Sequence, residues 1–235
     1  MKKAKIIVLS GQSNAVGVGH IKYLNRSFTD TKINEYLNGY ENIKINYYSH
    51  DKKSDGFTAT TTNCTEVHND TIGPELGIAE YLNSKFPDEE YFIVKFAVGG
   101  ASLMRAFLSP SSGGYYNVKE FKNEYSDYID AYFTGKPLKA GWCYNGLVSI
   151  LNDSIEYLKK GGYSPEIIGF CWMQGESDAG SLERVNNYKV LFDNFILFFL
   201  EYAFITLTNA LFTPSSCVPP SCVLILLTNE YILSV

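Results

Sequence analysis

Histidine is scarce in this 235-residue chain. It has three, His20, His50 and His68, and none after residue 68. Without clustered histidines or a DxDxDG run, no resident metal site is expected, although Glu176 and Asp178 stand close together. Cysteine is also thin. Cys64, Cys143, Cys171, Cys217 and Cys222 form no CxxC pair and are odd in number. They read as small buried hydrophobes in a reduced chain. Basic charge is not in excess: 20 Lys and Arg face 25 Asp and Glu, a net charge of −5, which argues against a nucleic-acid surface. Gly11, Gly17 and Gly19 lack both GxGxxG spacing and the Lys-Ser/Thr of a phosphate loop, so no nucleotide cofactor is expected. The Lys-rich start is followed by an apolar run of only about five residues, too short for a secretory signal. A cytoplasmic location is the default, with export left open.

Charge also runs out along the chain. From Leu197 to Val235 the charged residues are Glu201 and Glu230, where the chain's 19% average would give about seven. Phe195 to Phe212 is almost continuously apolar, at the lower limit of a membrane-spanning length, with Glu201 inside it and no basic flank. Residues 197–235 therefore read as an atypical tail. The favoured account is a frameshifted or faulty gene end. A buried segment and a membrane anchor are the alternatives, the anchor being the least favoured.

What remains is ample. Hydrophobic residues make up 46% of the chain and charged residues 19%, which excludes a disordered chain and supplies a single large core. Lys5–Leu9, Ile43–Tyr48, Tyr91–Val98 and Ile167–Met173 read as strands. A helix opens at Gly73-Pro74-Glu75, with Ile72, Leu76, Ala79, Leu82 and Phe86 at helical spacing. A second spans Asn145–Lys160 and stops at Gly161-Gly162. A third starts at Leu182 and ends near Leu197. Alternating strands and helices predict an α/β fold with a parallel sheet over residues 1–196. Residues 101–141, rich in Tyr, Gly and Ser, fit no such unit and read as an irregular insertion.

Three polar loops follow predicted strands directly: Ser10-Gly11-Gln12-Ser13-Asn14, Val98-Gly99-Gly100-Ala101-Ser102, and Trp172-Met173-Gln174-Gly175-Glu176-Ser177-Asp178. In open α/β sheets such loops gather at the carboxyl edge, where sites form. Each has an ordinary reading. Ser13 is a good helix N-cap, Gly99-Gly100 suits a tight turn, and the two acids suit a helix start. Each also has a chemical reading: an exposed hydroxyl, backbone N–H groups open to a ligand, and a Gln side chain with an NH2 to donate.

Together the three blocks resemble the signature of SGNH/GDSL hydrolases, and most closely the sialate O-acetylesterase and carbohydrate esterase family 6 branch. Gly73-Pro74-Glu75 and Tyr144-Asn145-Gly146-Leu147 also resemble that branch, and the likeness spans about residues 4–196. It implies a flavodoxin-like α/β/α sandwich. It implies Ser13 as nucleophile, with the N–H groups of Ser13 and Gly100 and the Gln174 amide as oxyanion donors. Gln12, Asn14 and Gly99 become supporting or substrate-binding positions, and Glu176 and Asp178 hold the third loop and its Gln. The implied reaction is removal of an acetyl group from carbohydrate, of sialic acid or xylan type, through an acyl-enzyme.

That family takes its base from a late Asp-x-x-His block, which this sequence lacks. His20 and His68 both read better as loop histidines than as substitutes. The expectation is an esterase lineage whose present chain is impaired. The alternative is a non-catalytic carbohydrate-binding module on an esterase scaffold, with Tyr115, Tyr116, Tyr125, Tyr128 and Tyr132 stacking on sugars. Oligomeric state is not legible.

Overall fold

The computed structural model describes residues 2–50, 52–62, 64, 71–112, 140–204 and 223–226. Its long strands are β1 (Lys2–Gly11), β3 (Ile43–Ser49), β7 (Tyr91–Ala97) and β8 (Tyr163–Met173). Short strands are β2 (Gly19–His20), β4 (Lys52–Lys53), β5 (Thr58–Ala59), β6 (Thr71–Ile72) and β9 (Val223–Leu226). The helices are α1 (Ser13–Val16), α2 (Leu24–Ser27), α3 (Asp30–Asn38), α4 (Glu75–Lys85), α5 (Trp142–Lys160), α6 (Glu176–Ala179) and α7 (Leu182–Phe204).

Strand β1 shows why the sheet is central. Its apolar residues point alternately to two sides. Ala4, Ile6 and Val8 join one buried cluster, and Ile7 and Leu9 join another. Strand β7 repeats this with Phe92, Val94 and Phe96 on the first side and Tyr91 and Ile93 on the second. A strand buried on both faces needs helices on both faces. Helices α5 and α7 cover the first side through Leu147, Leu151, Leu158, Leu191, Phe195 and Phe199. Helix α4 covers the second through Ala79 and Leu82. The result is the expected three-layer α/β/α sandwich.

The described sheet has the order β4-β3-β7-β1-β8-β9, with β5 also paired to β3. Strands β3, β7, β1 and β8 run parallel, and β4, β5 and β9 antiparallel. After β1 the chain builds β3 and β7 on one side, then crosses to build β8 on the other. The carboxyl end of β1 therefore lies where the direction of winding reverses, the place where a crevice opens in such sheets.

The four long strands and three long helices fall where the sequence pattern predicts them. The ends differ: β1 and β8 start earlier, α5 starts at Trp142, and α7 continues to Phe204, past the change in composition at residue 197. Residues 101–109 form no helix or strand and Pro110–Ser112 is a single 3-10 turn, yet Leu103, Met104, Ala106 and Phe107 are buried in the main core. The rest of the expected insertion, with its tyrosines, lies outside the described residues, as do His68 and most of the tail. Strand β9 extends the sheet beyond β8. Among the described residues no helix is long and apolar enough to cross a membrane.

Candidate active site

The carboxyl ends of the parallel strands are level. Gly11 pairs with Ala97 on one side and with Met173 on the other, and Ala97 pairs with Ser49. The loops after β1, β7 and β8 therefore leave the sheet side by side. Only glycine serves at position 11: its φ is 144° and a Cβ there would stand 2.1 Å from the Met173 carbonyl oxygen. That close approach lets Gln12 N–H donate to Met173 O at 2.9 Å, while Val98 N–H donates to Gly11 O at 3.1 Å. Two of the loops are thus hydrogen-bonded directly to the first.

Ser13 is half-buried at the start of α1, and Asn14 beside it is exposed. Gln12 is buried. Its Oε1 accepts the Ser177 N–H at 3.0 Å and the Gln174 Nε2 at 3.1 Å. Gln174 is 2% exposed, and its Nε2 also faces Ala101 O at 3.1 Å and Asp178 Oδ2 at 2.5 Å. The Tyr188 hydroxyl from α7 donates to Gln174 Oε1 at 2.8 Å. One side chain therefore binds the chain neighbours of both Ser13 and Gly100. Its two hydrogens face three protein acceptors, so service to an oxyanion requires one acceptor to yield.

Asp178 works from below. Its carboxylate accepts Leu103 N–H at 2.8 Å and Met104 N–H at 3.3 Å as well as the Gln174 amide. Burial pushes this carboxyl above the usual range, and the surrounding donors oppose that push. Glu176 is exposed and accepts the Asn14 side-chain amide. Gly100, half-buried with φ 72°, occupies a left-handed conformation that suits glycine. Gly99 is half-buried beside it.

Beneath α1 lies a pair that sequence reading missed. Lys95 and Glu75 are both fully buried and 2.8 Å apart. Lys95 Nζ also donates to Val16 O at 2.8 Å and Cys64 O at 3.4 Å, so the ammonium sits under the end of the turn that carries Ser13. Among the described residues Glu75 Oε1 is buried and finds no partner. Burial pushes the Glu75 carboxyl up, with Lys95 opposing. Glu75 reads in the sequence as an ordinary first-turn acid. The available signal was Lys95 itself, a lone cation inside the apolar run Tyr91–Val98. His20 lies on β2, paired with Thr71, and its ring stands against Tyr23.

Among the described residues no group of His, Cys, Asp or Glu is arranged to hold a metal ion. Cys64 and Cys143 are buried free thiols, and Cys171 is half-buried.

A family model described as carbohydrate esterase, sialic acid-specific acetylesterase, matches residues 3–200. A search of curated protein sequences gives no match. Among solved structures, a protein from Arabidopsis thaliana is 18% identical with a TM-score of 0.51, over 84% of this chain and 68% of that one. NanS and a carbohydrate acetylesterase from Xanthomonas citri are each 15% identical with a TM-score of 0.48. Each alignment covers 86% of this chain, and 63% and 38% of theirs. At these identities the first likeness speaks for the fold alone. The chain spans about two thirds or less of the length of these proteins.

Proposed function

Because the chain belongs to the sialic acid-specific acetylesterase family of carbohydrate esterases, we propose that Ser13 is the nucleophile of an O-acetyl carbohydrate esterase site. The observation that carries this reading is the Gln174 knot, which ties the residue before Ser13 to the residue after Gly100 across three strand ends. Ser13 Oγ attacks the acetyl carbonyl and the carbonyl electrons move to oxygen. The N–H groups of Ser13 and Gly100 donate to that oxyanion, each worth about 3 kcal/mol where water is excluded. The C–O bond to the sugar then breaks, and the sugar hydroxyl leaves with the proton from Ser13. Water repeats the sequence on the acetyl-serine, releasing acetate and restoring the hydroxyl. Gln174 holds the loops and becomes a third donor when one of its protein acceptors yields. Gln12, Asn14 and Gly99 support the loops, and Glu176 and Asp178 anchor the third of them.

The weak point of the site is the base. A serine hydroxyl needs one, and the sequence carries no histidine after residue 68. Removing the base from a serine hydrolase costs about 10⁶ in kcat, while the remaining donors and binding keep about 10³–10⁴ over water. The expected activity of this chain is therefore weak. The same lack of a late histidine favours a second reading, a carbohydrate-binding module on an esterase scaffold.

Acetate release from O-acetylated sialic acid, acetylated xylan and 4-nitrophenyl acetate tests both. Slow turnover abolished by Ser13→Ala supports the esterase. Glycan binding that survives Ser13→Ala, without any hydrolysis, supports the module. Fast turnover at the rate of complete relatives overturns the impairment and demands another base.

A further inference from the structure

The loops after β1, β7 and β8 have roles in the proposed reaction, but β3 ends on the same level and is followed by His50. Among the described residues His50 is the one non-glycine with positive φ, at 58°. A non-glycine residue is held there only when its surroundings insist, and such strain gathers at functional positions. Its backbone N–H donates to Ala97 O at 2.7 Å, carrying the β3–β7 ladder one step past the strand ends. Its ring is buried, and its Nδ1 accepts the Gly99 N–H at 3.2 Å. The Cβ that Gly99 lacks would stand 3.4 Å from the same nitrogen, so the imidazole lies flush against the turn.

The turn's two ends are tied elsewhere. Val98 N–H donates to Gly11 O, and Ala101 N–H donates back to Val98 O at 3.2 Å. The Ala101 carbonyl accepts from Gln174. Between those ends His50 accepts from Gly99, next to Gly100. Accepting at Nδ1 also assigns the neutral ring's hydrogen to Nε2. In this pose the lone pair that a general base would use is already taken by Gly99.

We infer that His50 is a positioning residue: it clamps the Gly99–Gly100 turn and so aims the Gly100 N–H at the oxyanion. This rests on the esterase reading for its purpose, though not for its geometry. The left-handed backbone of His50 is then the cost of bringing the ring beneath the turn.

Two substitutions separate clamp from packing. His50→Asn places an acceptor oxygen at the same distance along the side chain and tolerates left-handed backbone. His50→Gly relieves the backbone and removes the acceptor. Amide hydrogen exchange at Gly99 and Gly100 is the primary readout, since it needs no turnover. In His50→Gly it is expected to quicken about tenfold at those two amides, the loss of roughly one hydrogen bond, beyond whatever the change in global stability gives to amides elsewhere. In His50→Asn it is expected to stay close to the parent protein. Where turnover of 4-nitrophenyl acetate is measurable, His50→Gly should lower kcat and leave KM unchanged. Unchanged exchange in His50→Gly, or equal quickening in His50→Asn, overturns the proposal. Turnover indifferent to Ser13→Ala, with the exchange shifts as stated, instead sinks the esterase reading and leaves the clamp standing.

Discussion

Asp178 concentrates the physics of the site into one side chain. It is 1% exposed, and three N–H donors converge on it from two loops. Asp178→Ala strands the amides of Leu103 and Met104 in the interior, while the two Gln174 hydrogens keep Gln12 Oε1 and Ala101 O as acceptors. Unsatisfied buried donors cost about 1–3 kcal/mol each, so urea denaturation should show a loss of about 3 kcal/mol or more. Asp178→Asn keeps one acceptor oxygen and should lose about half as much. Loss of less than about 0.5 kcal/mol in Asp178→Ala would mean that the loops hold without it. At this scale the sequence is legible for the groups proposed to act through their own chemistry. Ser13 and Gly100 stand out because a hydroxyl and a pair of glycines follow apolar strands. The acceptors of Gln174 are illegible, because Ala101 O and Gln12 Oε1 come from other strands and meet it only through register.

Elements carry two further consequences. Lys95 on β7 and Glu75 on α4 form a fully buried ion pair joined to the end of α1. Lys95→Met leaves an uncompensated buried carboxylate and should cost about 3–5 kcal/mol, whereas Lys95→Met with Glu75→Leu should cost clearly less. Thermal unfolding of the two variants decides, and equal losses would show that the pair is not coupled. A second junction joins α3 to α4, where the Tyr36 hydroxyl donates to Glu80 and Lys32 pairs with it at 2.9 Å. The Tyr36 bond, then Lys32, hold the Glu80 carboxyl below its ordinary value of 4.5. A depressed carboxyl lends stability above its unfolded value, and that stability is lost as pH falls through the folded one. Tyr36→Phe should therefore cost about 0.5–1 kcal/mol at pH 7, with the difference shrinking below about pH 4.5. A difference that grows on acidification would contradict this. Helix α3 escapes sequence reading because it is short, with Tyr36 as its single buried residue. The strands of two residues escape because they have no period to read.

At the scale of the molecule, the alternation of strands and helices announces a sandwich, but not the order β3-β7-β1-β8, which depends on crossovers that no local pattern encodes. The composition breaks near residue 197, yet α7 continues through it to Phe204, because Phe195 and Phe199 sit on one helical face against Phe170. Both are fully buried. Phe199→Ala should thus cost about 3–5 kcal/mol, as for any large core ring, and a loss under 1 kcal/mol would mean that this stretch lies outside the cooperative fold. The sandwich exists, in this account, to bring Ser13 level with its oxyanion donors. The most direct trial is mass spectrometry of the intact protein quenched during slow turnover of 4-nitrophenyl acetate. One acetyl group carried on Ser13, and none in Ser13→Ala, is the predicted result. Acetyl groups scattered over surface lysines, with Ser13 unmodified at every time point, would contradict it.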